Sequence, residues 1–84
     1  MFDKSRLRKA IAECEAKIEE LEQKRTRSQA AIFYAMINDR PIPVADKEIF
    51  NLNTELIDLE REHLASLNEE LAELESDDDD EDLD

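Results

Sequence analysis

Leu7, Ile11, Cys14, Ile18, Leu21, Arg25, Ser28, Ile32 and Ala35 follow one another in alternating steps of four and three, without a slip. A seam that keeps this spacing across four repeats belongs to a helix that must bury one narrow stripe along its whole length, which is the requirement of a coiled coil. The chain contains no glycine. Positive-φ turns, tight β-hairpins and phosphate-cradling loops therefore lose their usual residue, and long helices are the remaining way to build the chain.

The first helix has a marked start. Asp3 suits the N-cap, and Phe2 and Leu7 stand where a hydrophobic staple would join N′ to N4. The helix is expected over about 4–38, some 50 Å at 1.5 Å per residue. It must end there, because Pro41 and Pro43 push Arg40 and Ile42 out of the helical region, making residues 39–45 an elbow. Asp46 is positioned to cap a second helix over about 46–75, with Glu48 also near its positive end. Along it Ile49, Leu52, Leu56, Leu59, His63, Leu67, Leu71 and Leu74 form the expected seam, which contains one four-four stutter around His63. Phe50, Ile57, Leu64 and Leu71 make a second stripe beside it.

Two long helices and a short elbow give an all-α fold, an antiparallel two-helix coiled-coil hairpin over residues 1–75. Facing positions then have numbers summing to about 82, so that Leu7 meets Leu74 and Ala35 meets Ile49. A single hairpin cannot cover all the apolar surface this sequence carries. Residues 30–37 are apolar or aromatic all round the helix, and the doubled stripe on the second helix needs more than one partner. Ile32, Phe33, Tyr34, Met36, Ile37, Phe50, Ile57 and Leu64 are accordingly the expected apolar contact residues, and a homodimer closing into a four-helix bundle is the expected way to cover them.

Charge divides the chain in two. Residues 1–40 hold seven acids and nine bases, whereas residues 41–84 hold 17 acids and two bases, giving a net charge of −13 overall. Residues 76–84 end the chain in an almost uninterrupted run of acids, too polar to bury anything, and are read as a disordered acidic tail. Such charge repels nucleic acid and anionic membranes at long range and points to a basic protein as partner. Glu55, Asp58 and Glu62 on the second helix, with Asp77, Asp78, Asp79, Asp80, Glu81 and Asp82 of the tail, are the expected electrostatic contacts. Lys4, Arg6, Arg8 and Lys9 lie beside Glu69, Glu70, Glu73 and Glu75 in the hairpin, so internal neutralisation explains them better than a nucleic-acid site does.

Polar residues within the seams have structural explanations. Arg25 and Ser28 are expected opposite Asp58 and Glu55, as a polar layer that fixes register at some cost in stability. His63 has no second histidine or cysteine at metal-ligand spacing, and Cys14 has no partner for an internal disulfide; both read as packed seam residues. No nucleophile, oxyanion loop, metal or cofactor motif can be assembled, and the acidic run lacks the glycine and terminal glutamate of an EF-hand. Ser76, followed by acids, fits an acid-directed kinase only weakly. No apolar stretch approaches the roughly 18 residues of a membrane span, and the N-terminus does not resemble a signal peptide. The lone cysteine suits a reducing compartment, and a cytoplasmic location is expected.

The sequence therefore points to a non-enzymatic interaction protein. One form is a nucleic-acid mimic that occupies the basic groove of a nuclease or DNA-binding protein, in the manner of a small viral or accessory inhibitor. The alternative is an assembly factor or structural coiled-coil subunit that works through its apolar surface.

Overall fold

The computed structural model describes residues 3–82, with side chains described over residues 3–76. It contains two helices and no strand among those residues: α1, Lys4–Ile37, and α2, Val44–Asp82. They pack against each other as a hairpin, a rod of 68 × 20 × 15 Å.

The start of α1 is capped as its sequence indicates. The Arg6 backbone N–H donates to Asp3 Oδ1 at 2.8 Å, and the Leu7 N–H donates to the Asp3 carbonyl at 3.1 Å. Phe2, the other half of the expected staple, lies outside the described residues. At its far end α1 closes in a Schellman motif. The Asp39 N–H reaches the Met36 carbonyl at 3.2 Å and the Arg40 N–H reaches the Ala35 carbonyl at 2.8 Å, so two carbonyls of the last turn are satisfied by the chain that leaves it. This motif needs a left-handed residue after the cap, normally glycine. The position is held here by Asp39, with φ of 54°. Asn38 adds a side-chain bond from Nδ2 to the Tyr34 carbonyl at 2.8 Å.

The elbow is shorter than expected, since α2 begins at Val44. The Lys47 N–H donates to the Pro43 carbonyl at 3.2 Å, so the helical ladder starts immediately after the proline. Proline has no N–H to satisfy and a φ already near the helical value, which makes it a good lead-in. Asp46 is then not the cap. It lies in the first turn of α2, where its carboxylate still meets the positive end of the helix dipole. At the other end α2 continues to Asp82, past the end expected near Glu75, because nothing after Pro43 breaks a helical ladder: there is no further proline and no glycine. The change from hairpin to tail at 75–76 is therefore not a break in the backbone.

The main correction concerns which stripe of α2 faces α1. Ile57 is completely buried, Asn53 and Leu67 are buried, and Phe50, Glu60, Leu64, Leu71 and Leu74 are half-buried. These positions alternate steps of three and four from residue 50 to residue 74 with no stutter. The leucine-rich stripe expected at the seam is outside instead: Ile49, Leu52, Leu56 and Leu59 are exposed, Leu52 by 55% and Leu59 by 61%, and His63 is exposed with them. The two stripes share Leu67, Leu71 and Leu74 and separate towards the elbow. Continuity decides between them, because a stutter rotates the stripe away from a straight partner whereas an unbroken 3.5-residue period keeps it in contact.

The core accordingly lies in the half of the rod away from the elbow. Leu7, Cys14, Ile18 and Leu21 of α1 pack with Ile57 and Leu67 of α2, flanked by Ala10, Ile11, Leu64, Leu71 and Leu74. Two cross-helix ion pairs, Arg8 with Glu75 at 3.3 Å and Arg61 with Glu22 at 3.1 Å, have numbers close to the expected facing sum. Both are exposed and contribute at most about 1 kcal/mol each. The short Cys14 side chain, however, meets the Glu60 carbonyl instead of a residue near 68, so the helices are offset from the expected register and the long ion-pair side chains span the difference. Towards the elbow the core gives way to Ser28 and Asn53, the buried polar side chains among the described residues, and beyond them to Ala35.

Two outcomes test this account. Asp39→Gly relieves a left-handed residue carrying a Cβ, so thermal unfolding should shift upward, by a stability gain of about 1 kcal/mol; an unchanged or lower melting temperature would show that Asp39 carries another favourable contact. The Nδ2 of Asn53 is buried without a hydrogen-bond partner. Denaturant unfolding of Asn53→Leu should therefore show equal or greater stability, since an unsatisfied buried polar group costs about 1–3 kcal/mol, and sedimentation should reveal additional oligomers as the register loosens.

Candidate functional surfaces

The hairpin register brings some of the expected contact residues together and diverts others. Arg25 is half-buried and Ser28 is buried, but Asp58 and Glu55 are both exposed, and among the described residues no ion pair joins Arg25 to Asp58. The buried polar side chains among the described residues are Ser28 on α1 and Asn53 on α2, Asn53 being hidden from sequence reading by its position beside the more conspicuous leucine stripe. Its signal was the unbroken three-four spacing from Phe50 through Asn53 to Ile57.

Ile57 and Leu64, expected at an intermolecular contact, belong to the intramolecular core, and Phe50 and Ile32 are half-buried in the same seam. The rest of that set is open. Phe33 is 60% exposed, and Tyr34, Met36 and Ile37 are exposed at least as much. Phe33, Tyr34 and Ile37 line a shallow groove along the back of α1 together with Thr26, Gln29 and Ala30. With Ile42 and Val44 at the elbow and the Ile49, Leu52, Leu56, Leu59 stripe on α2, every large exposed apolar side chain of the described residues falls between residues 33 and 59. The elbow half of the rod is an apolar surface without a cover, and the other half has a core.

The electrostatic residues divide similarly. Glu55, Asp58 and Glu62 are exposed, spaced three and four apart, and on α2 they lie away from Ile57 and the seam. None of the three has an ion-pair partner among the described residues. Asp77, Asp78, Asp79, Asp80, Glu81 and Asp82 continue the α2 backbone, but their side chains lie outside the described residues. Elsewhere the acids are partly neutralised. Glu20 takes Lys24 at 3.2 Å and Lys17 at 3.9 Å on its own helix, and the Lys24 hydrogen bond holds its carboxyl below the usual carboxylate range.

Cys14 is buried at the seam. Its thiol donates to the Glu60 carbonyl at 3.2 Å and to Glu60 Oε2 at 3.3 Å. Burial, followed by the hydrogen bond to and charge of Glu60, pushes the thiol pKa up. The folded state thus keeps the proton to higher pH than the unfolded state does. Stability from this group is fully present below the ordinary thiol value of about 8.5 and falls as pH rises above it, towards the raised folded value. Melting temperatures followed from pH 8 to 10 should decline less steeply for Cys14→Ala than for the parent chain; parallel declines would mean that Cys14 ionises equally easily folded and unfolded.

No helix is long and apolar enough to cross a membrane among the described residues. Comparison with known protein families, with curated proteins and with solved structures finds none that matches this chain.

Proposed function

We propose that this chain is a non-enzymatic interaction protein that pairs with a second copy through its elbow half, closing a four-helix bundle, and offers the acidic side of α2 to a basic protein surface. The observation that carries this reading is the placement of the exposed apolar residues. Among the described residues ten large apolar side chains are open to solvent, all between residues 33 and 59. Fully covering one such side chain gains about 1.5–3 kcal/mol, so the elbow half gains far more from association than the half that already has a core. The leucine stripe at Ile49, Leu52, Leu56 and Leu59 has heptad spacing of its own, which suits another helix better than it suits an irregular surface.

The acids support the second element. Glu55, Asp58 and Glu62 are rigidly held on a helix and unneutralised, which is what a basic groove would recognise and what a nucleic-acid mimic must present. Binding by such a face weakens as salt rises, since the Debye length shrinks from about 10 Å at 0.1 M to about 3 Å at 1 M. An assembly role through the apolar face alone would be insensitive to salt, and that difference separates the two readings.

Self-association is tested by sedimentation and by melting at several protein concentrations. The melting temperature should rise with concentration, because dimerisation stabilises the fold by mass action. The double substitution Leu52→Ser and Leu59→Ser touches only exposed positions, so it should leave the monomer's helix content intact while abolishing the concentration dependence. A parent chain that remains monomeric at every concentration contradicts the dimer and leaves the elbow surface to a different protein.

A further inference from the structure

We propose that Cys14, Glu60 and His63 form a binding site for a divalent transition-metal ion of Zn²⁺ type, bridging the two helices. Cys14 comes from α1; Glu60 and His63 come from α2, three residues apart and therefore on neighbouring positions of one helix surface. One ligating atom from each of the three lies within 4.8 Å of the other two. They line one hollow on the side of the rod, together with Ala10, Glu13 and Lys17.

The donor set fits the chemistry. Thiolate, imidazole and carboxylate are the three protein ligand types of zinc, and bonds of about 2.0–2.3 Å in a tetrahedron place donor atoms about 3.5 Å apart. Cys14 Sγ and Glu60 Oε2 already stand 3.3 Å apart. His63 is exposed, so its ring can turn to close the triangle without disturbing the core. The charges also match, since one thiolate and one carboxylate neutralise a divalent cation. Lys17, the cation beside the hollow, is engaged by Glu20 at 3.9 Å. Binding replaces the thiol proton: the S–H bond breaks, its electron pair stays on sulfur and forms the metal bond, and the proton passes to solvent water, leaving Glu60 ionised to ligate the metal. A fourth position remains for water or for Glu13.

Simple packing does not account for the whole cluster. A buried thiol needs one acceptor, and the Glu60 carbonyl supplies it at 3.2 Å. The carboxylate and the imidazole are additional, and their coincidence with the sulfur crosses from one helix to the other. Spacing along one segment could not reveal this, because the cysteine lies 46 residues from the glutamate.

The test titrates the full-length, reduced chain with Co²⁺ and then with Zn²⁺. One equivalent of Co²⁺ per chain should give a thiolate-to-cobalt charge-transfer band and tetrahedral visible bands, which Zn²⁺ displaces. His63→Ala and Glu60→Gln should each weaken Zn²⁺ binding at least tenfold, with the metal-free melting temperature of His63→Ala unchanged because the side chain is exposed. Zn²⁺ should raise the melting temperature of the parent chain, and a chelator should reverse it, while Mg²⁺ does neither. Binding without the thiolate band, or with equal affinity in the parent, His63→Ala and Glu60→Gln chains, would place the metal on the surface acids and overturn the proposal.

Discussion

Two long helices remain in contact only where their side chains recur every three and a half residues, and everything distinctive in this hairpin follows from how that condition is met. On α1 a single stripe meets it. On α2 two stripes compete, and the one that meets it contains Asn53 and Glu60, whereas the one that stutters is richer in leucine. Hydrophobicity alone favours the leucines, but their stripe slips by one residue relative to Leu67, Leu71 and Leu74, which rotates it off a straight partner. The continuous stripe wins, and the leucines are left outside.

That outcome creates the division of the molecule. From Ile57 through Leu67 the continuous stripe packs on Leu7, Cys14, Ile18 and Leu21 as the hairpin's core, flanked by Leu64, Leu71 and Leu74. Nearer the elbow the buried positions are Asn53 on α2 and Ala35 on α1, and the larger apolar side chains look outward. The polar residues of the winning stripe are treated differently: Glu60 reaches the Cys14 thiol, while Asn53 retains a buried Nδ2 without a partner. An apolar surface of this kind and a buried polar layer are the usual ingredients of specific helical association, in which the layer restricts register and the surface supplies the gain.

Much of the fold was legible in the sequence. The proline pair placed the elbow, Asp3 placed the start of α1, and the unbroken period of α1 named its buried residues from Leu7 to Ala35. The facing rule placed Arg8 within reach of Glu75, but Cys14 meets Glu60 instead of the residue near 68 that the rule gives. What could not be read was the rotation of α2, because residue type and period gave opposite answers over residues 49–64 and type was the more conspicuous. That one rotation moved Ile57 from a contact surface into the core, exposed His63, and exchanged Glu55 and Asp58 for Asn53 as the buried polar side chain of α2. The Schellman turn was hidden for a different reason: its left-handed position is held by Asp39, where composition offers no glycine to announce it. Charge, by contrast, was legible as a distribution: Glu55, Asp58 and Glu62, named as electrostatic contacts, are exposed, although Glu55 and Asp58 were also expected opposite Ser28 and Arg25 in the seam.

The placement of the core also bears on the path by which the chain folds. A helical hairpin ordinarily gains its first tertiary contacts next to the turn, where loop closure is cheapest. Here the residues near the elbow have little to offer each other, and the contacts that bind the helices join Cys14 to Glu60 and Arg8 to Glu75, separated by 46 and 67 positions. Closing such loops costs entropy before any packing offsets it, although only by about 0.6 kcal/mol for each doubling of length. The contacts that hold the helices together thus lie across large loops, and the turn itself contributes little to the closed hairpin. Even so, most close residue pairs are local helical ones, the pattern of quickly folding helical chains.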